Sequence, residues 1–595
     1  MRSTTRFIAL GLAGIMLAAC AHKDKNAPLA FVPADTPYVI ANLDVLDDAT
    51  RRAMLTQADA QLPAQLASIN AAADQLAKKD PDGARLLHAL NAEFNGKTIE
   101  SFASNIGLNL KGYWAVYGVG LAPVARFELS DPKAFEGFIG RLEAAYGKPL
   151  ETAKIGAQSY RRYVSTASGT EVILAMVGKQ AVAALLPADA SPALLRQVLG
   201  LDRPKKSLQD DGRLSALAKA KGYRKWLVGD LDLSRALPLA LGGNDPLVSA
   251  LRKAHAQAES AKTGEPVANQ LQTPAACTTE AARLAARVPA MSFGYTRLDA
   301  KHQDARFDVA LAADISKAFA GLKVALPGLG ENGSAPFDFS LALPVAQLRT
   351  FWLAQADAVA AKPFTCPALT DINDGFARLG PLLQKAAIPP FGDMLGLRIA
   401  LDTFAAGSPN GMPTFTGRLL IGTNNPAGLL AMGQMMVPAL AQLKPAADGT
   451  PLALPKNMSA MFGQPAWLAM GEKALALGVG AGEDGKLADT LKAPGGDAGQ
   501  MSRMHLSGAM YLNWVQLMEQ KLGSLAATTA ALDGGTGPSA AGNHADEAAQ
   551  QAANLARTRA QFAVMKAQAE RVESIDAEMH IDNDGMVITS QTALK

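Results

Sequence analysis

The sequence predicts an α+β protein made of two tandem similar copies, each a large antiparallel sheet with long helices packed on it. Three observations predict it. The chain has 595 residues, 49% hydrophobic and 19% charged, which is ample material for a buried core. Strand-like runs follow one another across turn residues rather than across helices, the order expected of antiparallel hairpins. The same succession of landmarks also occurs twice, about 290 residues apart.

The first copy, 30–326, opens on an extended segment, Thr36 to Leu43, and a helical region, Leu46 to Leu90. Two strand-like stretches follow, Tyr113 to Tyr117 and Val124 to Leu129, and Ser130-Asp131-Pro132 then starts a helix, Lys133 to Ala145. After a linker, 327–336, the second copy, 337–595, repeats the order. Phe337 to Leu343 is extended and Val345 to Ala387 is helical. Gly396-Leu397-Arg398-Ile399 then answers Gly107-Leu108-Asn109-Leu110, Thr414 to Ile421 supplies a strand, and Asn424-Asn425-Pro426 starts a helix, Ala427 to Leu443.

Further on, Trp467-Leu468-Ala469-Met470 matches Ile173-Leu174-Ala175-Met176, and Ala474 to Val479 matches Ala181 to Leu186. Tyr223 to Leu233 corresponds to His505 to Asn513. Each copy closes on a hairpin: Ala290 to Leu298 with Ala305 to Ala312, and Ser574 to Ile581 with Met586 to Gln591, the latter turned on Asn583-Asp584-Gly585. A long alanine-rich helix, 544–572, belongs to the second copy, with Leu555, Phe562 and Ala569 in one apolar stripe.

The N-terminus carries an address. Arg2 and Arg6 precede a short apolar run, Phe7 to Met16, and then Leu17-Ala18-Ala19-Cys20. Residues 1–19 therefore read as a cleaved export signal. Cys20 at the first mature position resembles the lipidated cysteine of a bacterial lipobox, and several acyl chains there make a firm anchor. Residues 20–29 form the tether. Without Asp after Cys20, the segment resembles lipoproteins sorted to the outer membrane, on its inner leaflet facing the periplasm. In that oxidising compartment the remaining cysteines, Cys277 and Cys366, are expected to form a disulfide. The partners implied are the membrane, through the lipid, and an envelope protein, polymer or lipid as ligand. With 57 basic against 54 acidic residues, nucleic acid is not an expected partner.

The segment Phe31-Val32-Pro33-Ala34-Asp35-Thr36-Pro37-Tyr38, just after the lipobox, resembles uncharacterised proteobacterial envelope lipoproteins related to DUF3352 (domain of unknown function) proteins. Gly118 and Gly120, Pro123 to Leu129 with Arg126, Asp131-Pro132 and Cys366-Pro367 are similar too. By pattern the resemblance spans most of 30–595. It implies an envelope location and no particular reaction.

Signals for chemistry are sparse. Seven histidines (His22, His88, His255, His302, His505, His544 and His580) fall in no zinc-ligand pattern, and no Gly-x-Ser-x-Gly elbow occurs. Gly118-Val119-Gly120 reads as a turn, since no helix N-terminus follows to hold a phosphate, and Gly478-Val479-Gly480, at the end of the strand that starts at Ala474, also reads as a turn. Asp230 and Asp232 alternate on one strand and could form a carboxylate pair, although a solvated face explains them as well. Asp582-Asn583-Asp584-Gly585 lacks the remaining ligands of a calcium loop and reads as a turn. No catalytic, cofactor-binding or metal-ligating residue is assigned.

Two functions follow. The first is a membrane-anchored, periplasm-facing lipoprotein acting as a non-catalytic binding or structural module. The second is a periplasmic hydrolase with its site at the junction of the two copies. Converging Ser, His and acidic side chains would favour the hydrolase. An apolar cleft lined by Met and Leu would favour binding of a lipid or peptide.

Overall fold

A computed structural model describes residues 24–405, 414–533 and 558–595, apart from 332, 334, 387 and 560. Cys20, the expected export signal 1–19 and most of the predicted helix 544–572 lie outside the described residues. Of that helix, 561–571 is helical and Val572 already begins a strand.

The fold is α+β, with a 19-stranded antiparallel sheet. In chain order its first ten strands are β1 (Tyr38–Ala41), β2 (Trp114–Val119), β3 (Ala122–Glu128), β4 (Glu151–Ile155), β5 (Gln158–Ser165), β6 (Thr170–Val177), β7 (Gln180–Pro187), β8 (Val228–Asp232), β9 (Ala290–Leu298) and β10 (His302–Ala310). The remainder are β11 (Phe337–Ala342), β12 (Met394–Ala405), β13 (Thr414–Thr423), β14 (Leu452–Ala453), β15 (Ala466–Met470), β16 (Ala474–Val479), β17 (Gln500–Ser507), β18 (Val572–Ile581) and β19 (Gly585–Leu594).

Across the sheet, the pairings run β4-β5-β6-β7-β3-β2-β1-β8-β9-β10 and then β19-β18-β17-β11-β12-β13-β16-β15-β14. The two closing hairpins meet at the centre, where β10 pairs with β19 from His302↔Ala593 to Ala310↔Gly585. This junction leaves neither hairpin with an open edge, the feature most prone to unwanted pairing.

Local chemistry explains most boundaries. Asp131 Oδ1 accepts the N–H groups of Lys133 and Ala134, and Asn425 Oδ1 accepts that of Gly428, so both Pro-led helices start where their caps stand. The second of these helices, Pro426–Met436, is shorter than expected. Val437 precedes Pro438 and is held extended, so the chain continues only as a 3-10 turn. Within His505 to Asn513 the strand β17 ends at Ser507 and a helix starts at Gly508. Met510, Tyr511, Trp514 and Val515 recur at helical rather than alternating spacing, and Met510 and Val515 are buried. The β4–β5 hairpin carries no strong strand signal in its sequence. It turns at Gly156, whose φ of 58° suits glycine.

Two main cores lie in the two halves. Val39, Tyr117, Val124, Val182 and Leu186 anchor one, and Leu326, Leu420, Ala476 and Leu487 anchor the other. Asp308, on the central strand β10, is 5% exposed. Arg306 grips it with two bonds of 2.8 Å, Tyr223 Oη donates at 2.5 Å and Lys221 Nζ stands at 3.2 Å. Burial pushes the Asp308 pKa up, but these donors outweigh burial and hold it below the ordinary value. A depressed carboxylate pKa stabilises the fold above the unfolded-state value of about 3.9, and that stability is lost as pH falls through the folded value. Denaturation midpoints across pH should therefore fall below about pH 4. Asp308→Asn should flatten that fall and cost roughly 1.5–3 kcal/mol at neutral pH.

Candidate functional site

Between strands β17 and β18 and four helices lies a cavity of about 630 Å³, inside the range of roughly 300–1,000 Å³ typical of ligand sites. Its walls come from both halves of the chain. The helix Ala276–Ala285 contributes Arg283 and Leu284, and the helix Ala313–Phe319 contributes Ile315 and Phe319. The helix Val345–Ala361 contributes Leu348, Phe351, Trp352 and Val359, and Thr370–Ala386 contributes Ile372 and Phe376. Met501 of β17 and Ile581 of β18 also line it.

Spacing explains the wall. Leu348, Phe351, Trp352, Gln355 and Val359 fall on one face of an α-helix. Such a face ordinarily seals against a core, yet no residue of Val345–Ala361 is fully buried. Phe319 meets Phe351 at 5.1 Å, Phe351 meets Trp352 at 5.2 Å, and Trp352 meets Phe376 at 6.2 Å between ring centroids. The aromatic row is held by its own edge contacts while Trp352 stays 40% exposed.

One end of the wall is tied across the two halves. Cys277 and Cys366 lie at disulfide distance, S–S 2.05 Å and Cα–Cα 4.8 Å. Phe364 and Leu369 are buried around them. Glu280 accepts the N–H groups of Thr365 at 3.0 Å and Cys366 at 2.9 Å. The Cys366 N–H, ahead of the other donors, holds the Glu280 carboxyl below its usual value.

Three cations stand in the lining and no carboxylate does. Arg287 is engaged, paired with both oxygens of Asp314 at 2.9 and 2.7 Å and with Gln355 Oε1 at 3.0 Å. Arg283 lies 4.0 Å over the Phe364 ring and donates Nη1 to the Lys362 carbonyl at 2.8 Å. Its Nη2 is buried with no hydrogen-bond partner. Arg283 and Lys362 form no ion pair among the described residues.

A second, charged cleft of about 470 Å³ is self-neutralising. Asp338, on β11, accepts Arg398 Nε at 3.1 Å, Arg398 Nη2 at 2.7 Å and Arg503 Nη2 at 3.3 Å. Both arginines sit opposite Ser340 in register and reach two residues along the same face to Asp338. Gly328, at φ 84°, leaves the space that Arg398 fills, since a Cβ there would meet Nη1 at 1.7 Å. Arg418 and Lys486 likewise close on Asp402 and Glu483. These charges stabilise one another.

The other expected residues do not converge. Asp230 pairs with Arg213 at 2.9 Å and is pushed up by burial, whereas Asp232 caps Leu233–Leu241 and pairs with Arg235 at 3.0 Å. Asp582 Oδ1 accepts the Asp584 and Gly585 N–H groups, which is turn chemistry. His302, His505 and His580 contact Asp299, Asp576 and Glu578, and His88 contacts Asn70 and Asp74. No cluster of three or more metal-ligating side chains occurs among the described residues. No described helix is long and apolar enough to cross a membrane. No family model, curated protein or solved structure matches the chain.

Proposed function

We propose that the chain is a lipid-anchored envelope lipoprotein, facing the periplasm from the outer membrane, that binds an apolar ligand in the central cavity without catalysing a reaction. The observation that carries this is an aromatic and aliphatic helix face lining about 630 Å³ of open space where a core would otherwise close. The cavity lining includes Met501, Leu284, Leu311 and Leu348 and contains no Ser, His, Cys, Asp or Glu. A hydrolase at the junction would need such groups there, so the binding reading is preferred.

Duplication is part of the proposal. The succession β6-β7-β3-β2-β1-β8-β9-β10 has its counterpart in β15-β16-β13-β12-β11-β17-β18-β19. In this correspondence Asp230, opposite Val39, aligns with His505, opposite Asp338. The resemblance to DUF3352-related envelope lipoproteins fits the same reading.

The cavity is tested with N-phenyl-1-naphthylamine, a neutral dye that brightens in apolar surroundings. One saturable site is expected, and Ala358→Trp, which adds bulk to the lining, should weaken it about tenfold or more. Equal binding by both proteins would move the site elsewhere. For the anchor, Cys20→Ser should release the protein from the membrane fraction and abolish palmitate labelling. Retained label would disprove the lipobox reading.

A further inference from the structure

We infer that the cavity's ligand is a single-chain amphiphile with an anionic head, its chain against the aromatic row and its head between Arg283 and Lys362; this rests on the binding function proposed above. The lining is apolar apart from its three cations and one amide, Gln355, which already accepts from Arg287. A peptide would bring backbone N–H and C=O groups into that space with almost nothing to satisfy them. An alkyl chain brings none.

Charge selects the head group. Arg287 is neutralised by Asp314, whereas the buried Arg283 Nη2 lacks any partner. A buried cationic donor left unsatisfied is costly, and a carboxylate or phosphate oxygen is the acceptor that relieves it best. Lys362 is exposed, and its backbone carbonyl is already bonded to Arg283, so its ammonium can close on the same head group from the solvent side. Glu280, one turn back from Arg283, accepts the Thr365 and Cys366 N–H groups and offsets part of the Arg283 charge through space, while Lys362 keeps this end net positive. The site is therefore basic at its polar end and has no acid in its lining to repel an anion.

The test displaces N-phenyl-1-naphthylamine from the full Cys20→Ser chain, which carries no acyl groups of its own to compete. The competitors are oleate, oleyl alcohol and monooleyl phosphate. Oleate and the phosphate should bind roughly ten- to a hundredfold more tightly than the alcohol. Comparable affinities for oleate and the phosphate identify a general anion site, and a large gap between them names the preferred head group; both outcomes support the inference. Arg283→Gln should collapse the ratio between anion and alcohol. Lys362→Glu, at an exposed position that tolerates change, should lower it even if Arg283→Gln folds poorly. Equal affinity for oleate and alcohol in the unmodified chain would overturn the inference while leaving the apolar site intact. An unchanged ratio in Lys362→Glu would overturn it as well. If the dye itself finds no saturable site, the binding function fails along with it.

Discussion

Replacing Asp338 by Ala should destabilise the second half of the sheet by about 3–5 kcal/mol, because two buried guanidinium groups lose their shared counter-ion. Asp338 is 1% exposed, and the Arg398 and Arg503 side chains are 8% and 6% exposed. Water cannot replace the lost acceptor without opening the strands that carry them. Arg503 already has Nε and Nη1 buried without partners, so it has no alternative bond to fall back on. Its remaining one, to the Gly328 carbonyl at 3.0 Å, neutralises no charge. The contrast is Lys486→Met: its half-exposed ammonium pairs with Asp402 and Glu483, but Arg418 stays beside both carboxylates, so the loss should be only about 1 kcal/mol. Urea unfolding followed at Trp467 and Trp514 measures both. A loss below about 1 kcal/mol for Asp338→Ala would show that the cluster relaxes freely.

The second large effect belongs to Cys277 and Cys366. The two residues are 89 positions apart, and the chain-entropy account gives about 4–5 kcal/mol for closing a loop of that order. The Cys277→Ala, Cys366→Ala protein should therefore melt well below the parent. The loss should concentrate where the helices Ala276–Ala285 and Thr370–Ala386 meet, and hydrogen exchange there should rise first. These helices also wall the cavity, so ligand affinity should fall with the bond. Thiol titration of the denatured, unreduced protein should find no free thiol at Cys277 or Cys366. Two free thiols would remove the covalent clamp from the account.

Several of these features are legible in the sequence for local reasons. Asn583-Asp584-Gly585 marks its hairpin, Asp131-Pro132 and Asn425-Pro426 mark their helix starts, and an even pair of cysteines behind an expected export signal points to one bond. The meeting of β10 with β19 has no local signature, because strand pairing depends on edges that are far apart in the chain. The β4–β5 hairpin escaped because Glu151, Lys154, Arg161 and Arg162 make it read as polar surface around a lone Gly156.

The Asp338 cluster was equally hidden. Arg398 is visible only as part of a repeated tetrapeptide, and its partners arrive from β11 and β17. For the cavity, half the signal was present: Leu348, Phe351, Trp352 and Val359 declare an apolar helix face. A periodic face looks the same whether it meets a core or a ligand. Only packing shows that this one stays open.

The most direct test of the cavity as a ligand site is anomalous diffraction from crystals of the chain grown with 9,10-dibromostearate. Bromine peaks are expected beside Phe351, Trp352 and Phe376, with the carboxylate at the Arg283 and Lys362 end of the cavity. Bromine found only outside this cavity, or a cavity empty in crystals where the ligand binds elsewhere, would contradict the account.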